Sequence, residues 1–207
     1  MSSDPYDGYV TDIDYPAYMF PFLSPARFSF SAVLHGMPPL DLTRPLTWVE
    51  LGCGIGASAC MVAAANPEVE VWACDFNPAH IEQARRLASM AGLDNCTFEE
   101  ASFAEIADDD SIGPREVDVV VAHGVFSWVS SAHQLQIAQF IERRLRPGGL
   151  AYLSYAVDAG RSAIAPLAEV MRLHQPITDR RSGDSFSSGV TAISLLADGG
   201  ARYFPMT

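Results

Sequence analysis

The chain has 207 residues, enough for one domain with a sizeable core, and 49% of them are hydrophobic, which argues against disorder throughout. Its 25 acidic and 13 basic residues give a formal net charge of −12, which disfavours nucleic acid as a partner because phosphate groups require basic contacts. No apolar stretch approaches the roughly 18 residues of a membrane span, and the first residues lack the pattern of a signal peptide. We therefore expect a cytoplasmic protein that does not bind membranes.

The cysteine pattern disfavours both a disulfide framework and a metal centre. Cys53, Cys60, Cys74 and Cys96 form no C-x-x-C pair, and all four lie in or beside apolar segments. Such spacing is typical of free thiols in a reducing compartment. We expect no bound metal.

Residues 1–45 form an irregular N-terminal segment in which proline and tyrosine are frequent. Within it, the stretch SPARFSFSAVLHG predicts a short helix that begins after Ser24, has Pro25 in its first turn and ends at Gly36. The regular pattern of the chain starts only after this segment.

From residue 46 to residue 155 the predicted strands alternate with predicted helices. The strands are LTWVEL (46–51), VEVWAC (69–74), CTFEE (96–100), VDVVVA (117–122) and LAYLSY (150–155). The helices are predicted over 57–67, between Asn77 and Gly92 with Leu87 on the apolar face, and over 131–145 with Leu135 facing inward. This alternation predicts a doubly wound α/β fold with a mainly parallel sheet and helices on both faces.

The glycine-rich turn VELGCGIGAS follows the first predicted strand. Gly52, Gly54 and Ala57 satisfy the G-x-G-x-x-G/A fingerprint of dinucleotide-binding proteins, and Asp75 follows at the spacing of a ribose ligand. A nicotinamide-dependent oxidoreductase is therefore one interpretation, although the fingerprint alone is weakly specific.

The acidic start of the motif points to a different ligand. Glu50 and Gly56 extend it to E-L-G-C-G-I-G, and a carboxylate at Glu50 would be unfavourable beside a pyrophosphate but favourable beside a cation. The carboxyl ends of parallel strands lie at one edge of a sheet. The glycine turn, Asp75, residues 100–103 and His123 should therefore converge there.

Three ordered motifs resemble the class I S-adenosylmethionine-dependent methyltransferases over residues 46–155: ELGCGIG, CDFNPAHIEQARRLA, and LRPGG before the fifth strand. More narrowly, FLSPARF, DFNPAHI, EASFAEI and HGVFSWVS resemble bacterial methyltransferases that carry a regulatory domain after the catalytic one. Some of those relatives methylate protein lysines. The resemblance implies a Rossmann-like sheet of order 3-2-1-4-5, with S-adenosylmethionine as methyl donor and S-adenosylhomocysteine as product. The resemblance does not decide whether the methyl acceptor is a protein lysine or a small molecule.

The resemblance also implies which residues bind the cofactor. Asp75 would accept hydrogen bonds from the two ribose hydroxyls, because a carboxylate only accepts and hydroxyls can donate. Ser102 stands where many of these enzymes have an aspartate for the adenine amino group, and the Phe103 N–H would donate to the ring. The full implied set is Glu50, Gly52, Cys53, Gly54, Gly56, Asp75, Phe76, Ser102, Phe103 and His123.

His123 and Tyr18 are the candidate catalytic residues. His123 ends the fourth predicted strand and could take a proton from an amine or a hydroxyl, or only its backbone could contact the cofactor. In this fold an N-terminal segment often closes over the cofactor, so that Tyr15 or Tyr18 could face the sulfonium. Tyr18, in the apolar stretch YMFPF, is the better placed, and a cation–π contact there contributes about 0.5–2 kcal/mol.

Residues 156–207 predict helices over 164–174 and 187–200 where the methyltransferase sheet usually adds two further strands. We therefore expect an N-terminal segment (1–45), a methyltransferase core (46–155) and a helical extension (156–207) that ends the chain early. The open sheet edge would be covered by self-association or by a missing C-terminal domain. A non-catalytic S-adenosylmethionine-binding module, or an inactive truncated methyltransferase, is the second interpretation of the chain.

Overall fold

Five parallel strands form the central sheet of the larger of two units. The computed structural model describes residues 17–174 and 182–203, of which 17–155 belong to the larger unit and the others to the smaller. The strands are β1 (Leu46–Leu51), β2 (Val69–Asp75), β3 (Cys96–Glu100), β4 (Val117–Ala122) and β5 (Leu145–Leu153). Their order across the sheet is β3-β2-β1-β4-β5, which confirms the predicted α/β fold.

Helices cover both faces of this sheet. They are α1 (Pro25–Leu34), α2 (Ala57–Ala65), α3 (Pro78–Met90), α4 (Phe103–Asp108) and α5 (Ser131–Arg144), and a 3-10 turn spans Pro21–Leu23. The first three helices pack on one face, and α4 and α5 pack on the other. Each of the strands β1 to β4 is therefore followed by a helix that packs on the sheet, as doubly wound folds require.

Side-chain caps set the predicted helix starts. The Ser24 hydroxyl accepts a hydrogen bond from the Arg27 backbone N–H at 3.4 Å, and the Asn77 side chain accepts one from the Ala79 N–H at 3.0 Å. Each cap satisfies a backbone donor that has no partner within the helix. The predicted starts of α1 and α3 are thereby confirmed.

The inward faces predicted for α3 and α5 were wrong at two leucines. Leu87 is 38% exposed and Leu135 is 59% exposed. On α5, Ile137 and Phe140 are the buried residues, and Leu135 lies two positions before Ile137, or about 200° around the helix. The helix therefore turns a different face to the sheet from the one that its leucines indicated.

The smaller unit is helical in the residues that the structure describes. Its helices are α6 (Asp158–Arg161), α7 (Ala165–Leu173) and α8 (Ser182–Asp198). The last two pack together where Gly189 faces Met171. Within 156–174 and 182–203 no strand follows β5, and no described helix is long and apolar enough to cross a membrane.

Candidate functional site

The glycine turn joins β1 to α2 and is held by the backbone of β2. The N–H groups of Gly52 and Cys53 both donate to the Cys74 carbonyl at 2.9 Å, and the Gly56 N–H donates to the Cys53 carbonyl at 3.0 Å. Gly52, Gly54 and Gly56 have φ angles of 72°, 54° and 72°. Glycine adopts this left-handed conformation without the steric cost that a Cβ brings, so the sequence pattern has a direct backbone cause.

The three glycines face different surroundings. A Cβ at Gly56 would lie 2.6 Å from Phe98 Cε1, and a Cβ at Gly52 would lie 2.7 Å from Val125 Cγ2, so both positions are closed by protein atoms. A Cβ at Gly54 would meet nothing within 4 Å. Packing therefore accounts for the lack of a side chain at Gly52 and Gly56, whereas Gly54 has open space on that side. The cofactor contacts that the resemblance implies for the three glycines stay predictions.

Asp75 fixes the open part of the turn. Its Oδ2 accepts a hydrogen bond from the Gly54 N–H at 2.9 Å, and its Oδ1 accepts one from the Asn77 N–H at 2.9 Å. His80 Nδ1 lies 3.2 Å from the same Oδ1, and the Asp75 side chain is only 9% exposed. A carboxylate has about four acceptor positions. Asp75 therefore retains capacity for a hydroxyl donor of a ligand.

Glu50 places a second carboxyl group beside the turn, inside β1. The residue is 4% exposed, and its Oε2 has no hydrogen-bond partner among the residues that the structure describes. Burial raises the pKa of Glu50 from 4.5 to about 8, against the effect of a hydrogen bond from Ala59, and the charge of Asp75 adds to the rise. An unpartnered buried carboxyl oxygen is costly, and a cationic group of a ligand would offset that cost.

Glu50→Gln is expected to raise the melting temperature more at alkaline than at acidic pH. A carboxyl with a raised pKa keeps its proton in the folded chain after the unfolded chain has lost it, so stability falls as the pH rises from 4.5 to about 8. The amide never ionises and escapes this loss. Thermal melts of parent and variant at about pH 5 and about pH 8.5 measure the difference. An equal difference at both pH values would contradict this assignment.

The side chains expected around adenine lie at the ends of β2 and β3. Phe76 is half-buried after β2, and Phe103 is buried as the first residue of α4, so that its N–H lies in the first turn of that helix. The Ser102 hydroxyl donates to Glu105 Oε2 at 2.7 Å and accepts from the Glu105 N–H at 3.3 Å. Ser102 thus caps α4, and the capping-box pattern S-x-x-E at 102–105 is the signal that the sequence interpretation missed.

His123 follows β4 and belongs to an aromatic cluster, which we define as Tyr18, Phe20, Phe22, Phe28, His123 and Tyr152. The ring centroids of Phe20 and Phe22 lie 4.1 Å and 5.4 Å from that of His123. Burial lowers the pKa of His123. Its Nδ1 lies 3.2 Å from the Tyr152 hydroxyl, a partner that sequence reasoning did not identify.

The N-terminal segment is attached to this edge of the sheet by two hydrogen bonds. The Phe20 N–H donates to the Ser58 hydroxyl in the first turn of α2 at 3.2 Å, and the Trp48 indole N–H donates to the Leu23 carbonyl at 3.3 Å. Tyr18 is 62% exposed, and its ring lies 4.8 Å from the Phe20 ring. Tyr15 lies outside the described residues.

The structure thus brings the predicted residues to one edge of the sheet. Asp75 contacts the glycine turn through Gly54, and the Ala101 N–H donates to the Asp75 carbonyl at 3.1 Å, which places the end of β3 beside it. Cys53 takes part in the glycine turn through its backbone N–H and carbonyl, and burial raises the pKa of its thiol. All four cysteines are free thiols, and within the described ranges no group of His, Cys, Asp or Glu is arranged to hold a metal ion.

Comparisons with known proteins identify the family. Residues 49–151 match the Methyltransferase domain family. An uncharacterised protein of Synechocystis sp. is 33% identical over 165 residues, which cover 80% of this chain and 32% of that protein. PKMT2 from Rickettsia typhi, solved in complex with AdoHcy, has a TM-score of 0.76 and 26% identity, covering 93% of this chain and 36% of that one. Human tRNA N(3)-cytidine methyltransferase METTL6 is 29% identical over 105 residues, which cover 51% of this chain and 37% of that protein.

The chain spans 32%, 63% and 29% of the length of three curated relatives that it matches. The family match covers the glycine turn and all strands from the end of β1 to most of β5. The same family is indicated by the sheet order, by the geometry of the glycine turn and by these similarities. The chain belongs to the class I S-adenosylmethionine-dependent methyltransferases.

Proposed function

We propose that this chain binds S-adenosylmethionine at the glycine turn and transfers its methyl group to a nucleophilic acceptor. The observation that carries the proposal is the unpartnered, buried Oε2 of Glu50 beside a turn whose open glycine, Gly54, is bonded to Asp75. A cationic group beside Glu50 would favour its ionised form and be attracted to it, whereas the pyrophosphate of a nicotinamide cofactor would gain no attraction from either carboxyl group. This electrostatic argument favours a sulfonium cofactor over the oxidoreductase interpretation.

Each residue of the site has a role in this proposal. Asp75 accepts from the ribose hydroxyls, and Glu50 binds the ammonium group directly or through a water. Gly54 lets the backbone approach the ligand, and Phe76 and Phe103 border the adenine, with the Phe103 N–H as a donor to the ring. When bound, the cofactor supplies a methyl group activated by the sulfonium.

Methyl transfer requires little acid–base assistance from this chain. The lone pair of the acceptor forms the new bond to the methyl carbon, the electrons of the C–S bond remain on sulfur, and the proton of the acceptor passes to water. Alignment and exclusion of solvent can contribute up to about 7–11 kcal/mol in favourable intramolecular models. The aromatic cluster supplies the apolar wall for this step, with Tyr18 as the residue proposed to face the sulfonium.

The acceptor that we propose is a lysine side chain of a protein. The likeness to PKMT2 from Rickettsia typhi supports it, and a net charge of −12 favours association with a basic, lysine-rich partner. Because the chain is also similar to a tRNA methyltransferase, its acidic composition alone does not exclude a nucleic acid as the methyl acceptor. The free cysteines support a reducing compartment, the cytoplasm, as the location.

A label-transfer assay tests the proposal. The chain is incubated with S-adenosylmethionine carrying a tritiated methyl group and with a lysine-rich protein, the same protein after chemical blocking of its lysines, or transfer RNA. We expect label in the unblocked protein only. Label in RNA would overturn the lysine acceptor. Binding of S-adenosylhomocysteine without transfer to any acceptor would favour the non-catalytic module.

A further inference from the structure

Tyr152 packs against His123 at the carboxyl ends of β4 and β5. Its hydroxyl oxygen lies 3.2 Å from His123 Nδ1, and the two rings are stacked with centroids 5.9 Å apart. On its other side the Tyr152 ring packs against Phe28 of α1 at 5.5 Å. The Tyr152 ring is therefore packed on both sides, with its hydroxyl beside the imidazole.

The hydrogen bond between these two side chains has a preferred direction. Burial lowers the pKa of His123 and raises the pKa of Tyr152, so both groups are neutral near neutral pH. A phenol is a better proton donor than a neutral imidazole, and an imidazole nitrogen is a better acceptor than a phenol oxygen. The Tyr152 hydroxyl therefore donates to Nδ1, and the imidazole proton resides on Nε2.

We propose that Tyr152 is a positioning residue that makes His123 a hydrogen-bond donor, through Nε2–H, toward an oxygen atom of the methyl acceptor. This inference rests on the proposed function, since it concerns the acceptor side of the same site. Within the described residues Nε2 has no hydrogen-bond partner, and the other rings against His123, Phe20 and Phe22, cannot titrate. His123 then orients the acceptor, for example through a peptide carbonyl beside the methylated lysine, and does not take its proton.

His35 provides a built-in reference for the opposite tautomer. Its Nδ1 lies 2.8 Å from the Ser31 carbonyl, and a carbonyl oxygen can only accept, so the proton of His35 resides on Nδ1. His35 is exposed at the end of α1. The two histidines should therefore give opposite nitrogen patterns in one spectrum.

Nitrogen NMR of the full chain labelled in histidine tests the proposal at about pH 8.5. The His123 signals are assigned by their loss in His123→Gln. We expect Nε2–H for His123 and Nδ1–H for His35 in the parent. In Tyr152→Phe, which keeps the packed ring, His123 should gain a large Nδ1–H fraction and its pKa should rise, while His35 stays unchanged. A parent spectrum with Nδ1–H at His123, or no change in Tyr152→Phe, would overturn the proposal.

A binding measurement separates this inference from the proposed function. Tyr152→Phe should bind S-adenosylhomocysteine as the parent does, because Tyr152 acts on the acceptor side. Loss of binding in the variant would overturn the positioning role. Absence of binding in the parent would instead overturn the proposed function, whatever tautomer the spectrum shows.

Discussion

Replacing Asp75 with alanine is expected to weaken the binding of S-adenosylhomocysteine by about 10- to 100-fold. A hydrogen bond from a hydroxyl to a carboxylate contributes about 1.5–3 kcal/mol, and the variant loses the one that the remaining acceptor position of Asp75 allows, together with the anchor of the Gly54 N–H. Calorimetric titration of parent and variant measures the ratio of the two dissociation constants.

Glu100→Ala is the matched control for this experiment. Glu100 lies opposite Asp75 in the register of β2 and β3, at the same edge of the sheet, but its side chain is exposed. Its removal should change the affinity little, since an exposed charge is screened by solvent. Thermal melts must show that Asp75→Ala is folded at the titration temperature. Equal affinities in a folded Asp75→Ala and the parent would refute the ribose role.

Replacing Gly56 with alanine is expected to lower the free energy of unfolding by about 2–5 kcal/mol. A residue other than glycine in the left-handed conformation costs about 1–2 kcal/mol, and overpacking in a well-packed region costs about 1–3 kcal/mol more. At Gly56, φ is 72° and a new Cβ would lie 2.6 Å from both Ala84 Cβ and Phe98 Cε1. Urea unfolding of the variant and the parent measures the loss.

Gly92→Ala separates the two contributions. Gly92 also has a left-handed φ, of 66°, but a Cβ there would meet nothing within 4 Å. This variant should therefore show only the conformational cost of about 1–2 kcal/mol. If Gly56→Ala unfolds no more easily than Gly92→Ala, the packing role assigned to Gly56 is wrong.

The strands and their order could be predicted because their causes are local and repetitive. VDVVVA is apolar at every position but one, as expected for a central strand covered on both faces, and the caps Ser24 and Asn77 mark the starts of two helices. The start of the fifth strand was misplaced, since Pro147, Gly148 and Gly149, which were expected to precede it, lie inside β5. Helix α4 was missed because it has only six residues and follows β3 directly. The face of α5 was misjudged because burial there depends on the packing of Phe140 and Ile137 against the sheet, which leucine spacing does not reveal.

The residues of the candidate site also fall into those that the local sequence predicts and those that it does not. The glycine turn and Asp75 could be identified because their spacing along the chain reflects one strand-turn-helix unit and the strand beside it. His80 and Tyr152 could not, because their roles arise from contacts with Asp75 and His123 that only the folded chain creates. Ser102 shows the converse case, since its hydroxyl has a local role as the cap of α4, and the adenine contact that the resemblance implies stays a prediction.

Parallel calorimetric titrations of the purified chain with S-adenosylhomocysteine and with NAD⁺ test the central claim most directly. We expect one S-adenosylhomocysteine bound per chain, with a dissociation constant on the order of 1 μM, and no heat with NAD⁺. Binding of NAD⁺, or no binding of S-adenosylhomocysteine by the folded chain, would contradict the assignment of this glycine turn to a methyl donor.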